Sequence, residues 1–482
     1  MNGILRRVFS VDSMLKPAQR TDERLPSSRE VYLIAFKTAW PSMLETFLVG
    51  LIGLLDTVMV GALGGKLGDD AIAGVGITGQ PRMILFAAIF SLNIGVTAVV
   101  ARRRGEGDRE KANETLMQSL IVCFFVVILM GALGFFFARP LMLLAGAKEG
   151  TRILDFAVQY FKITSIGFVF SSLGLVMNAA QRGSGNTRIS MYTNITANVV
   201  NLVFNYLLIN GNFGFPKLMV QGAAIATAFG NFVMFAICLV NVTAGAGEDS
   251  FLKLRFKPQN LKLRLETLKG VINVSSSAFV EQICMRIGFF TYARLVAGLD
   301  SPTVPAIAIY TICMQIQNMS FTFGDGLSIA SSSLVGRSLG AKRPDMAIVY
   351  GKTAQRISLL VSAVLFFVFM FGRYFFVGLF TDTREVLEAG SAIIMLIAVS
   401  SPFQLSQVVL NGSLRGAGDT KFVAMVSFVS ITFLRPIFTW LFCYPMGLGV
   451  AGAWLSLIVD QLVRFFFAQH RFAKGEWTAK KV

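Results

Sequence analysis

The stretch Trp40 to Leu63, WPSMLETFLVGLIGLLDTVMVGAL, is long enough to cross a bilayer and apolar except for two acids, Glu45 and Asp56. At about 1.5 Å rise per residue, a helix entered at Pro41 reaches Asp56 after roughly 22 Å, past the middle of a hydrocarbon core about 30 Å thick. An ionised carboxylate at that depth is costly and seldom faces lipid. It marks an ion or proton pathway, or a paired structural charge.

The composition sets the same frame. With 54% hydrophobic and 15% charged residues over 482 positions, and a mean hydropathy of +0.64, the chain lacks the roughly one quarter of charged residues that a soluble surface needs. It reads as an all-α polytopic membrane protein. The net charge of +17 would suggest nucleic acid in a soluble domain, but the basic residues lie in short gaps between apolar runs, so nucleic acid is not an expected partner. Twelve such runs occur, at about 40–64, 72–100, 115–138, 156–180, 188–210, 219–242, 270–297, 305–334, 353–377, 389–413, 421–443 and 449–470. The even-numbered gaps are basic, as in Arg102-Arg103-Arg104 after the second run and Arg337, Lys342 and Arg343 after the eighth. By the positive-inside rule both termini are expected in the cytoplasm, on a multi-pass protein of the plasma or inner membrane. No short apolar segment precedes the long run, so no cleaved signal peptide is expected. Five cysteines stand singly in apolar runs without a CxxC, and His470 is the lone histidine. Neither a disulfide framework nor a zinc site is indicated, and no acid pair or nucleophile cluster suggests an enzyme.

Sliding the chain along itself by about 235 positions brings related segments together. Ala71-Ile72-Ala73 falls on Ala306-Ile307-Ala308, Gln80 on Gln315, and Arg102 on Arg337; with a small slip, Asn178, Arg182, Gly183, Gly185 and Thr187 fall on Asn411, Arg415, Gly416, Gly418 and Thr420. Six helices return the chain to its starting side, so the two halves are expected to be parallel repeats about an axis along the membrane normal. The expected organisation is a cytoplasmic tail (1–37), a first lobe of six spans (38–242), a cytoplasmic linker (243–269), a second lobe of six spans (270–470) and a short tail (471–482).

The fifth run carries Asn194, Asn198, Asn201 and Asn205, a 4, 3, 4 spacing that sets four amides on one helical stripe. Entered near Arg188, this helix brings Asn201 and Asn205 roughly 20 and 25 Å in, the depth of Asp56, and Thr227 of the sixth run lies at a similar level. One carboxylate, two amide oxygens and a hydroxyl make an oxygen cage. Hard cations such as Na⁺ take oxygen ligands, and a buried carboxylate takes a proton instead. Two structural readings stand beside this one: amides that glue helices together, and a salt bridge from Asp56 to Arg82. Glu45, three turns before Asp56, is expected either to attract cationic substrate near the inner mouth or to be solvated. The second half holds Glu281, Arg286, Arg294, Asp325, Arg435, Asp460 and Arg464; mutual pairing is expected, with a second proton or substrate site centred on Glu281 or Asp325 as the alternative. Gln80, Arg82 and Asn198 complete the residues expected to modulate the site or line a substrate cavity.

Pro41 followed by Asp56 in LLDTVMVG, the twin loops QRGSGNTR and LRGAGDTK, and the GAAIAT run resemble the multidrug and toxic compound extrusion (MATE) family, over essentially the whole chain. The resemblance implies twelve helices in two lobes, alternating access, and antiport of bulky, often cationic, organic compounds against Na⁺ or H⁺. No cofactor beyond the coupling ion is implied, and a monomer is expected. It also implies a first-lobe cation site at Asp56, Asn201, Asn205 and Thr227. In some members a second aspartate stands at the position of Asn205, which leaves this chain one ionisable group there. A lipid-linked oligosaccharide or lipid flippase of the same superfamily is the alternative, and a cavity lined by several of Arg82, Arg286, Arg294 and Arg435 would favour it. The twin loops, each with glycines and an arginine, match no phosphate-loop pattern. Each is expected to make a tight turn whose arginine reaches the headgroups.

Overall fold

The computed structural model describes residues 10–20, 24–61, 65–245, 251–254, 264–299 and 306–480. Among the described residues there is no strand, and the long helices are α1 (Ser28–Gly61), α2 (Gly65–Ile77), α3 (Gly79–Gly105), α4 (Arg109–Phe136), the short α5 (Ala138–Leu144), α6 (Arg152–Gly183), α7 (Thr187–Asn210), α8 (Met219–Val240), α9 (Leu265–Ala297), α10 (Ala306–Gly340), α11 (Pro344–Gly378), α12 (Arg384–Gly416), α13 (Thr420–Ser427), α14 (Arg435–Cys443) and α15 (Gly449–Lys474). They realise the twelve spans. The second span is α2 with α3, and the eleventh is α13 and α14 joined through a π-helical turn at Phe428–Leu434. That turn precedes Pro436, whose missing N–H breaks the regular ladder. By length and composition alone, eight of the described helical stretches are apolar enough to cross a membrane.

Two compact units form, one from Phe47–Ser275 and one from Met1–Thr46 with Ser276–Val482. The boundaries fall inside α1 and α9. The first half of α1 therefore belongs with α10–α12: Val31, Ala35 and Ala39 are buried in one core with Leu327, Leu334 and Leu410, and Thr46 Oγ1 donates to the Thr322 carbonyl at 2.7 Å.

The repeat shows in which helix each unit is built around. In the Phe47–Ser275 unit α6 packs against α2, α3, α4 and α8; in the other unit α12 packs against α10, α11 and α15. These are the fourth and tenth spans, equivalent under the repeat. Both bury small residues along their length, Gly167, Ser171, Ser172 and Gly174 in α6 and Ser400, Ser401, Gly412 and Ser413 in α12, and small side chains let helix backbones approach closely.

Both central helices end in the same cap. After α6, Gly185 N donates to Arg182 O and Asn186 N to Gln181 O; after α12, Gly418 N donates to Arg415 O and Asp419 N to Leu414 O. This is the Schellman arrangement, and it needs a left-handed residue. Gly185 (φ +91°) and Gly418 (φ +86°) supply it. The turns are as the sequence predicts, but their arginines do not reach outward to headgroups. Arg182 is buried and donates to Ser190 Oγ at 2.9 Å, and Arg415 reaches Glu281 Oε1 at 2.6 Å. Each guanidinium turns inward because a polar partner waits there.

In the segment expected to be the linker, residues 246–250 and 255–263 lie outside the described residues. The described part is docked on the Phe47–Ser275 unit: Leu252 and Leu254 are buried, Lys253 N donates to Asn113 Oδ1 at 2.7 Å and the Arg104 guanidinium lies over the Phe251 ring. The five cysteines are buried and unpaired with one another.

Candidate functional site

Three helices of one unit bring the oxygen-bearing side chains together: the second half of α1, α7 and α8. Close contact of α7 and α8 depends on Gly230, where a Cβ would stand 2.9 Å from the Ala197 carbonyl oxygen and 3.0 Å from Asn201 Cβ. One turn earlier on α8, Thr227 faces Asn201.

The amide row divides in two. Asn194 Nδ2 donates to Ser190 O at 3.1 Å and Asn198 Nδ2 to Asn194 O at 2.8 Å, so these two bond to their own helix one turn back, and Asn198 does not join the site. The other two reach across. Asn205 Nδ2 donates to Asp56 Oδ1 at 2.7 Å and to Asn201 Oδ1 at 3.4 Å. The amide of Asn201 can be placed either way round with the same shape. With its nitrogen toward Thr227 it meets the hydroxyl at 3.3 Å. Turned over, it donates to Asp56 Oδ1 at 2.9 Å and Oδ2 at 3.3 Å, and its oxygen accepts the Thr227 N–H at 3.1 Å. The second orientation satisfies both ends and places two amide donors on one carboxylate.

Asn201 and Asn205 are buried, and Asp56 and Thr227 are half-buried. No described cation lies within 4.0 Å of the Asp56 carboxylate. The salt bridge to Arg82 weighed from the sequence is therefore not formed. Arg82 acts on Asp56 only through space, while the amides occupy the carboxylate directly. Asn205 Oδ1 is buried without a hydrogen-bond donor. A small cation or the proton of a protonated Asp56 is the kind of partner such an oxygen lacks, so the donor set fits a hard monovalent ion or a proton. Among the described residues, no three His, Cys, Asp or Glu side chains cluster as a metal site.

The remaining candidates fall elsewhere. Gln80 is exposed at the start of α3. Glu45 is buried in the unit that holds the first half of α1, so the expectation of a solvated side chain does not hold. Glu281 is engaged by Arg415 and accepts from Ser427 Oγ at 3.1 Å. Asp325 is exposed and has no ion pair with a described residue. Asp460 and Arg464 pair at 2.8 Å as their spacing predicts, and Arg435 joins them on the same carboxylate oxygen, with Ser430 on the other. The part played by Arg415 escapes a sequence reading because it lies in a loop motif whose arginine looks exposed.

Beside the Asp56–Asn201–Asn205 cluster lies a cavity of about 250 Å³ that Thr227 also lines. Of the four arginines that would favour a pyrophosphate cavity, Arg82 alone lines this one.

Comparison with known proteins gives a consistent picture. The MatE family pattern matches residues 41–207 and 277–441, one match in each repeat. Over 95% of both chains the sequence is 27% identical to the "Probable multidrug resistance protein NorM" of Thermotoga maritima, and over 98% of both it is 25% identical to the "Uncharacterized transporter YisQ" of Bacillus subtilis. Among solved structures, a mutant of the Vibrio cholerae MATE transporter VcmN superposes with a TM-score of 0.84 at 18% identity, covering 94% of this chain and 99% of that one.

Proposed function

The chain belongs to the MATE family of multidrug transporters, and from that premise we propose that it is a cation-coupled secondary antiporter that exports bulky organic compounds, often cationic ones, across the cytoplasmic membrane by alternating access. Na⁺ or H⁺ enters at Asp56, with Asn201, Asn205 and Thr227 as the remaining oxygen ligands. Both termini face the cytoplasm on this reading, and the charge pattern of the gaps supports it. The multidrug names of the relatives support the substrate class.

The observation that carries the reading is the Asp56 carboxylate, held by Asn205 and Asn201 with no described cation within 4.0 Å. A half-buried negative charge at bilayer depth with no cation beside it is costly. Ion entry removes that cost, and ion release restores it. The ion therefore has different free energy in the two access states whenever α1 packs differently around it, and that difference is what transport requires.

The test is efflux of a fluorescent organic cation from proteoliposomes under an imposed Na⁺ or pH gradient. One of the two gradients should drive it. Asp56→Asn should insert and elute as a single species yet transport no faster than protein-free vesicles. Efflux of that variant at the wild-type rate would refute the assignment.

A further inference from the structure

The cavity beside Asp56 carries the Arg82 guanidinium on its wall, one of the residues the sequence places at a substrate cavity. Its aromatic walls come from Phe86 and Phe90 on α3 and from Phe161 and Phe168 on α6, and among the described residues its one charged lining residue is Arg82. The Arg82 guanidinium makes no hydrogen bond or ion pair within 4.0 Å to a described residue. Arg82 thus lines a ring-rich space with a guanidinium that has no acceptor among the described residues. The hydroxyls on the wall behave oppositely. Thr164 Oγ1 donates to Tyr160 O, and Ser165 Oγ to Phe161 O. What they have left for a ligand is acceptor oxygen, which suits an N–H or O–H on the same molecule.

We propose that this cavity binds a flat aromatic acid, with its carboxylate on the Arg82 guanidinium and its rings among the four phenylalanines. A planar guanidinium matches a carboxylate in a two-pronged bond, and offset or edge-on ring contacts hold the aromatic body. The volume of about 250 Å³ suits one fused two-ring system or the acidic end of a larger compound. An organic cation of the same shape would have its charge set against that of Arg82 in a poorly screened space. Ring faces favour cations only weakly beside a full charge. The inference rests on the transporter reading only for what happens to the ligand after it binds.

The probes are indole-3-acetate and tryptamine, an acid and an amine on the same ring, each with an N–H. Equilibrium dialysis of each against the full-length protein in nanodiscs needs no ion gradient and no variant. The acid should bind at least about tenfold more tightly than the amine, a difference of one decade in Kd. Arg82→Gln should abolish that preference by weakening the acid, and Arg82→Lys should restore part of it. Equal binding of the two probes, tighter binding of tryptamine, or unchanged acid binding in a well-behaved Arg82→Gln protein would each overturn the proposal. Vesicles that fail to export an organic cation would count against the antiporter reading and leave this binding result standing. Wild-type protein that exports the organic cation but binds the two probes equally would count against the cavity assignment alone.

Discussion

Asn205 donates its amide N–H to Asp56 Oδ1 at 2.7 Å, a bond between side chains 149 positions apart in the chain. It ties α7 to the second half of α1 and sets the charge of the site at one carboxylate.

Because Asn205 stands so close, Asn205→Asp places a second acid against the first. Two carboxylates at that distance do not both ionise without a cation between them. In a proton-driven exporter the pH midpoint of transport should therefore rise by about one unit or more. In a Na⁺-driven one the half-saturating Na⁺ concentration should fall by roughly tenfold, as the ion gains a full charge to bind. Gradient-driven efflux measured against pH and Na⁺ reads both. A variant that matches wild type on both axes would place the coupling ion elsewhere.

Asp460 is fully buried and is shared by Arg435 and Arg464. Asp460→Asn leaves two buried guanidiniums around a neutral group, and breaking such an ion cluster costs about 3–5 kcal/mol. Replacing all three by Leu, Met and Met should recover most of that loss, because no unpaired charge then remains. Arg384 and Glu388 form an exposed pair, and Glu388→Gln should leave the unfolding midpoint close to that of wild type, since solvent screens such a pair. Thermal unfolding read by a thiol-reactive dye fits this chain, since its five cysteines are buried until it unfolds.

At the start of α4, Asp108 Oδ1 accepts the Lys111 backbone N–H at 2.9 Å, and Lys111 Nζ lies 3.0 Å from Oδ2. The backbone bond, more than the lysine charge, holds the carboxyl below its usual range. A depressed folded-state value means the contribution is present above the ordinary carboxylate pKa of about 4 and is lost as pH falls through the lower value. Asp108→Ala should unfold at a lower temperature than wild type at neutral pH. That difference should shrink as the buffer is taken below about pH 4. A gap that is constant with pH would show that the cap acts without its charge.

How much of this was legible beforehand follows from the range of the forces involved. Length and apolarity of the runs gave the spans, because each must satisfy its own backbone hydrogen bonds inside lipid. The repeat was visible as well, down to the glycines of the twin turns, since a left-handed cap leaves a local mark. The oxygen cluster was legible for a simpler reason: helical rise converts residue number into depth, so Asp56, Asn201, Asn205 and Thr227 could be set at one level. Depth, however, says nothing of bearing around a helix or of which neighbour arrives first.

For that reason the tertiary structure alone decided that amides rather than Arg82 hold Asp56, that Arg415 turns inward to Glu281, and that α1 divides between two compact units at Thr46 and Phe47. Each is a competition among partners distant in sequence, won by whichever group packing brings within about 3 Å. A local pattern records which groups are able to bond, while the fold settles which of them meet.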